Sequence, residues 1–345
     1  MKKAIVLVLA LVMILGSFAV SNVRRLDSPQ LEQTLLRAAT GDSEAAAILR
    51  ATVRIRLVAP YLDGRGNRVL MHDSGRPMGL DASTVHVPEA VTAAIGRVEA
   101  WKSSYHGRSG LILAGTTQAG RPVVLKVVRG SYRMQELAHE YAVLTALKGA
   151  GVPVPEALVH AQRRPLGFLA MEQAGGRSSA DLLREASMRG DREQVAAMMG
   201  GLLSSLHHQP VAAVSWDECV DGQLAAAERR VRERVMSRAE FRAKGIAGDP
   251  LASLAQLKAT RPAPGPVVLV HGDFRPRNVF VDGGRVTAVL DWAMADLGDP
   301  CTDIATMFGY LDGAGQRVFL NAYGLGDIDA ARLEWFRTLA VFLTV

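Results

Sequence analysis

Cysteine is nearly absent: Cys219 and Cys301 are the only two in 345 residues. That excludes a disulfide framework and a cysteine-built zinc cluster, so both are read as packing residues. Internal repeats and low-complexity tracts are also missing, which sets aside a solenoid. With 49% hydrophobic and 21% charged residues, the chain has the composition of a folded enzyme and not of a disordered one. Nor is there a basic stripe studded with aromatics. The net charge of +6 is spread among acidic residues, so no nucleic-acid partner is expected, and a basic cleft suits an anionic nucleotide equally well.

One uncharged apolar run, residues 4–20, follows Lys2 and Lys3 and is succeeded by Ser21, Asn22, Arg24 and Arg25. Residues 1–25 read as a signal peptide or membrane anchor. Seventeen residues is at the short end for a span, Ala19 and Ser21 offer a cleavage site, and basic residues on both flanks give no orientation.

Residues 26–96 read as an accessory segment, with a helical stretch at 29–50 and two alternating runs, 52–58 and 67–71, around a turn at 63–66. From 98 onward the pattern becomes a meander of strands at 98–105, 111–115 and 123–128. A helix follows, with Leu137, Tyr141, Leu144 and Leu147 at helical spacing and Gly149 and Gly151 closing it. A strand at 168–171 ends before Gly175 and Gly176, and the remainder is mainly helical, including 191–207 and 221–244. Sheet first and helices later predict an α+β protein with two lobes, 97–175 and 176–345.

The chemistry gathers between His271 and Asp303. Two apolar strands flank the Gly283-Gly284 turn, a strong hairpin signal. A turn centred there predicts that position 278 faces position 291, so Asn278 and Asp291 share one site. Both offer hard oxygen ligands, which suits Mg²⁺ held by one carboxylate together with nucleotide phosphates. Asp273, five residues before Asn278, is placed to accept a hydroxyl proton. Upstream, Lys126 stands alone in an apolar strand and needs an anionic partner, unless that strand is an edge facing solvent.

The ordered set His271-Gly272-Asp273, Asn278, Asp291-Trp292, Gly298-Asp299-Pro300 and Asp303 resembles the aminoglycoside phosphotransferase and choline kinase family. The resemblance implies a protein-kinase-like two-lobed fold, with an antiparallel-sheet N-lobe and a mainly helical C-lobe. It implies Asp273 as catalytic base, Asn278 and Asp291 as Mg²⁺ ligands, and Asp303 as a brace for the catalytic loop. Lys126 would contact nucleotide phosphates, held by Glu140 in preference to Glu136. Ser109, in the turn 106–110, would approach phosphate, although Gly110 stands where the family has asparagine. Glu172 and Ala174 would form the adenine-binding hinge.

The expected function is transfer of the γ-phosphate of ATP, or GTP, to a hydroxyl of an aminoglycoside-, macrolide-, choline- or sugar-like acceptor. The alternative is a catalytically silent kinase-like ligand-binding protein tethered to the membrane. A true protein kinase is disfavoured by His-Gly-Asp in place of His-Arg-Asp and Asp-Trp in place of Asp-Phe-Gly. Use of ATP places the catalytic domain in the cytoplasm, with membrane association through residues 4–20; export stays open. His207-His208 reads as a capping or surface pair and not as a metal site, since adjacent residues do not share a helical face. The arginine-rich stretch 229–242 reads as a solvated helix face. The chain stops within an apolar helix, 333–345, and the resemblance raises the expectation that the family's final packing elements are missing.

Overall fold

The computed structural model describes residues 85–106, 110–186, 189–209, 216–232, 237–326 and 328–343. The apolar run 4–20, the accessory elements up to residue 84, and Ser109 lie outside the described residues. Among the described residues, no helix is long and apolar enough to cross a membrane.

Five antiparallel strands form the first sheet: β1 (Lys102–His106), β2 (Leu111–Thr116), β3 (Pro122–Arg129), β4 (Ala157–Arg163) and β5 (Leu166–Glu172), in the order β1-β2-β3-β5-β4. Side chains alternate across a strand, so β3 presents two sets. Leu125 and Val127 join Leu111, Leu113, Phe168 and Ala170 under Val91 of helix α1 (Glu89–Ile95). Val124 and Val128 belong to the larger core on the other face, with Leu137 and Leu144 of helix α2 (Ser131–Leu147). Lys126 shares that second face. β3 is the central strand of the sheet, which removes the edge-strand explanation for Lys126.

The sequence pattern misses β4, whose Ala, His and Gln residues are half-buried or exposed at the sheet edge and do not alternate cleanly. It also starts the first strand too early. Val98 makes only an isolated bridge to Thr117, and regular pairing begins at Lys102.

The second lobe is carried by helices α3 (Ser179–Glu185), α4 (Arg189–His207), α5 (Trp216–Arg232), α6 (Arg238–Ala243), α7 (Pro250–Ala259), α8 (Cys301–Phe308), α9 (Gly313–Tyr323) and α10 (Ala330–Leu343). The stretch 221–244 is thus not one helix: Ser237 and Glu240 form a capping box that starts α6 afresh. Between α7 and α8 run β7 (Val268–Val270), β8 (Val279–Asp282), β9 (Arg285–Val289) and β10 (Asp296–Gly298). β7 pairs with β10, and a two-residue strand β6 (Arg177–Ser178) adds to the β8–β9 hairpin. The final helix buries Leu333, Trp335, Phe336, Leu339 and Phe342, and the Trp335 indole donates to the Leu257 carbonyl at 2.8 Å.

Candidate active site

The hairpin is slipped by one residue from the expected register. Asp282 faces Arg285 and Val281 faces Val286, but an irregularity follows and Val279 faces Val289. The Leu290 N–H then donates to the Asn278 carbonyl at 2.8 Å, so Asn278 lies opposite Leu290 and not Asp291. A regular hairpin turning on Gly283-Gly284 would set position 278 opposite 289; the one extra residue in β9 shifts it to 290, a step toward Asp291 that still falls short of the expected pairing.

Asp291 comes one step later, in the left-handed conformation at φ 66°, ψ 61°. Among the described residues it is the only non-glycine with positive φ. For a residue with a Cβ this costs on the order of 1–2 kcal/mol, so its surroundings must hold it there. On its C-terminal side, the Trp292 N–H donates to the Glu140 carboxylate, and the Trp292 indole, fully buried, donates to the Val289 carbonyl at 2.7 Å. The Asp291 side chain accepts from Lys126 Nζ at 2.9 Å.

Lys126 bonds a second carboxylate, Glu140 of α2, at 2.7 Å. Glu136 pairs instead with Arg133. Burial favours a neutral lysine, but Asp291 and Glu140 outweigh it and raise the Lys126 pKa. Lys126 in turn holds the Asp291 carboxyl down at about 2. Burial pushes the Glu140 carboxyl up against the pull of Lys126, and Asp291 adds to that push. One lysine thus serves two carboxylates, and Asp291 keeps 36% of its side chain open.

The loop from His271 to Asn278 is fastened from below by Asp303, which is fully buried. Its Oδ2 accepts the His271 N–H at 2.7 Å and its Oδ1 the Gly272 N–H at 2.9 Å. Gly272 has φ 79°, and a Cβ there would run into the Met294 carbonyl, so both backbone and space require glycine. The Asn278 side-chain N–H₂ donates to Asp273 twice, to the main-chain oxygen at 3.0 Å and to Oδ2 at 3.1 Å. This turns the Asn278 amide oxygen away from Asp273.

His271 joins both halves of the site. Its Nε2–H donates to the Leu290 carbonyl at 2.9 Å while Nδ1 accepts the Asp273 N–H at 3.2 Å, which assigns a neutral ring. Burial pushes its pKa down. Stability from the neutral ring is therefore complete above the ordinary value of about 6.5 and is lost as pH falls below it, by at most about 1.4 kcal/mol per unit. Urea unfolding at pH 7.5 and 5.5 is expected to show a smaller pH-dependent loss for His271→Gln than for the wild type.

His207 corrects the sequence reading, because it is buried and not at the surface. Its Nε2 contacts Asp303 Oδ2 at 3.1 Å and its Nδ1 the Tyr323 hydroxyl at 2.8 Å. The signal was present in the sequence: position 207 lies four residues after Leu203 and eight after Met199, on the buried face of α4. His208 is exposed and bonds the Ser204 carbonyl. His139, beside Glu140, carries no sequence signal of its role; its Nε2 contacts the Ala295 carbonyl at 2.8 Å and ties α2 to the segment after Asp291.

Asp299 accepts the Cys301 N–H at 2.8 Å and pairs with Arg332, so it caps α8 as its sequence position implies. Glu172 ends β5, where its N–H bonds the Glu156 carbonyl at 2.9 Å and its side chain bonds Arg121, and Ala174 follows two residues beyond the strand. A side chain at Gly110 would strike the Val127 carbonyl, which accounts for glycine at the position where asparagine was expected.

Among the described residues, no group of three or more His, Cys, Asp or Glu side chains is arranged to hold a metal ion. The donor set here is of another kind, one carboxylate and one amide oxygen. It fits Mg²⁺, which takes few protein ligands and shares the rest with phosphates and water.

Residues 106–336 match the phosphotransferase enzyme family, and the chain belongs to it. The aminoglycoside 3'-phosphotransferase of Streptomyces fradiae is 30% identical over 219 residues, covering 60% of this chain and 80% of that protein. Among solved structures, aminoglycoside-3'-phosphotransferase of type VIII is 25% identical, with a TM-score of 0.60 over 74% of this chain and 98% of that one. The fold is shared as well by APH(3'')-Id from Streptomyces rimosus, solved with ADP and streptomycin. It is 16% identical with a TM-score of 0.55, covering 73% of this chain and 95% of that one.

Proposed function

We propose that the protein transfers the γ-phosphate of ATP to a hydroxyl of a small molecule. The observation that carries this reading is the bond from Lys126, in the central strand of the sheet, to Asp291 at the mouth of the hairpin, 165 residues away. It links the phosphate-contacting lysine to the carboxylate suited to the metal. The named activity of the Streptomyces fradiae relative and the ADP bound in the Streptomyces rimosus structure support it. A catalytically silent binding protein is not favoured, since Lys126, Glu140, Asp273, Asn278 and Asp291 are all present.

In this reading Asp273 orients the acceptor hydroxyl and takes its proton. The acceptor oxygen forms a bond to the γ-phosphorus, the bond to the β–γ bridging oxygen breaks with its electron pair on ADP, and a phosphate ester leaves. Lys126, held by Glu140, contacts the phosphates, and Asn278 and Asp291 would hold Mg²⁺. That ion would neutralise phosphate charge. Glu172 and Ala174 form the adenine hinge and Ser109 approaches phosphate; residues 97–175 are the nucleotide lobe and 176–345 the acceptor lobe.

Incubation with ATP labelled at the γ-phosphate and a panel of small hydroxyl compounds should yield a labelled phosphate ester and ADP in equal amounts. Label that stays in ATP with every acceptor, or that passes only to the protein itself, would count against the proposal. Membrane association through residues 4–20, with the catalytic domain on the cytoplasmic side, belongs to the same reading. A compartment-sensitive reporter fused after Val345 tests it, and an extracytoplasmic signal would oppose it.

A further inference from the structure

Two arginines converge on the carboxylate assigned as catalytic base. Arg275 forms an ion pair with Asp273 Oδ1, and Arg277 Nη2 lies 3.7 Å from Asp273 Oδ2. Among the described residues, Asp273 alone makes ion pairs with the two guanidinium groups, and Asp291, whose charge also reaches both, is already bonded to Lys126. The Lys126 cluster on the nucleotide side has the opposite imbalance, two carboxylates to one lysine.

The two arginines differ in setting. Arg275 is largely enclosed, with 15% of its side chain exposed; it also bonds the Tyr310 hydroxyl, and its Nε is buried without a hydrogen-bond partner. Burial, and then the charge of Arg277, push its pKa down. Arg277 is 56% exposed. Tyr310 is 44% exposed, one of two large hydrophobic side chains left open among the described residues. Arg275 therefore joins the exposed Tyr310 to Asp273, and the more open Arg277 reaches the same carboxylate.

We infer that Arg277 and Tyr310 form an anion-receiving wall of the acceptor site, and that the acceptor carries a carboxylate or phosphate near the hydroxyl that is phosphorylated. The inference rests on the proposed phosphotransfer and narrows its acceptor class. A polycationic aminoglycoside would bring its ammonium groups against Arg277, and like charges at that range repel. Planar bidentate capture of a carboxylate or phosphate is what a guanidinium does best. The nucleotide γ-phosphate is the other source of the same anionic chemistry, so the test must separate the two.

Calorimetry on the full chain with saturating MgADP, titrated in turn with D-glycerate, glycerol 3-phosphate and kanamycin A, does so. At least one anion should bind more tightly than kanamycin A, and the tighter of the two identifies carboxylate or phosphate. In Arg277→Glu that affinity should fall about tenfold or more while kanamycin A binds more tightly. Tighter kanamycin A binding by the wild type, or anion affinities unchanged in the variant, would overturn the inference. If Arg277→Glu weakens MgATP but not MgADP and leaves the anions untouched, the arginine serves the γ-phosphate and the inference also falls. Failure of MgADP itself to bind would instead strike the phosphotransfer proposal, and the same anion titrations on the nucleotide-free protein would still decide the acceptor class.

Discussion

Asp273→Asn is expected to lower turnover by about a thousandfold while MgATP affinity stays close to that of the wild type. General-base assistance is worth roughly 10²–10⁴-fold, and an asparagine cannot take the acceptor proton. It can still accept the Asn278 N–H₂ bond, because the amide keeps one oxygen where the carboxylate had two, and the main-chain bond to Asn278 is unaffected. The Arg275 ion pair is lost, but the Asp303 bonds to the His271 and Gly272 N–H groups still hold the loop. Steady-state kinetics paired with MgATP titration separates the two effects. A loss in turnover of less than about tenfold, or parallel losses in turnover and MgATP affinity, would remove Asp273 from the role of base.

Asp303→Ala is the second large change, and its effect falls first on the fold. Its two oxygens accept the N–H groups of His271 and Gly272 and contact His207 Nε2, in a site with no solvent exposure. Removing the carboxylate strands several buried polar groups. Each costs about 1–3 kcal/mol, which makes a total of about 3 kcal/mol or more the expected loss in urea unfolding. The same deletion frees the loop that carries Asp273, so molecules still folded should turn over slowly. Asp303→Asn retains the shape but leaves one oxygen for two backbone donors, and should fall between alanine and the wild type. A cost below about 1 kcal/mol for Asp303→Ala would show that the loop is held by something else.

Much of this site was legible in the sequence because its parts obey simple periodicities. Lys126 interrupts an apolar strand, and strand alternation places it on the face that α2 covers. Glu140 lies four residues before Leu144 and seven before Leu147, so one helical face carries all three toward the core. The family resemblance then joined Asp273, Asn278 and Asp291 in one expectation, and the structure brings Asp273 to Asn278 and Asp291 to Lys126.

What was missed depends on contacts that spacing does not encode. The turn at Gly283-Gly284 gives 278 opposite 289, not 291, and the extra residue in β9, which only the strand pairing reveals, moves Asn278 opposite Leu290. β4 is an edge strand with mixed burial and so lacks a period of two. His207 reads in sequence as one of a pair with His208, whereas the two point to different environments. The buried one meets Asp303 from α8 and Tyr323 from α9, partners about a hundred residues downstream. Arg275 and Arg277 lie inside the motif itself, but nothing in its spacing encodes that both reach Asp273.

The measurement that tests the central claim most directly is calorimetric binding of ATP to the full chain, with and without Mg²⁺, in the wild type and in Asp291→Ala. The account predicts magnesium-dependent binding in the wild type and loss of that dependence in the variant, in which Lys126 retains Glu140 but the metal loses its carboxylate. A folded wild type that binds no ATP, or an Asp291→Ala variant that binds MgATP as tightly as the wild type, would contradict it.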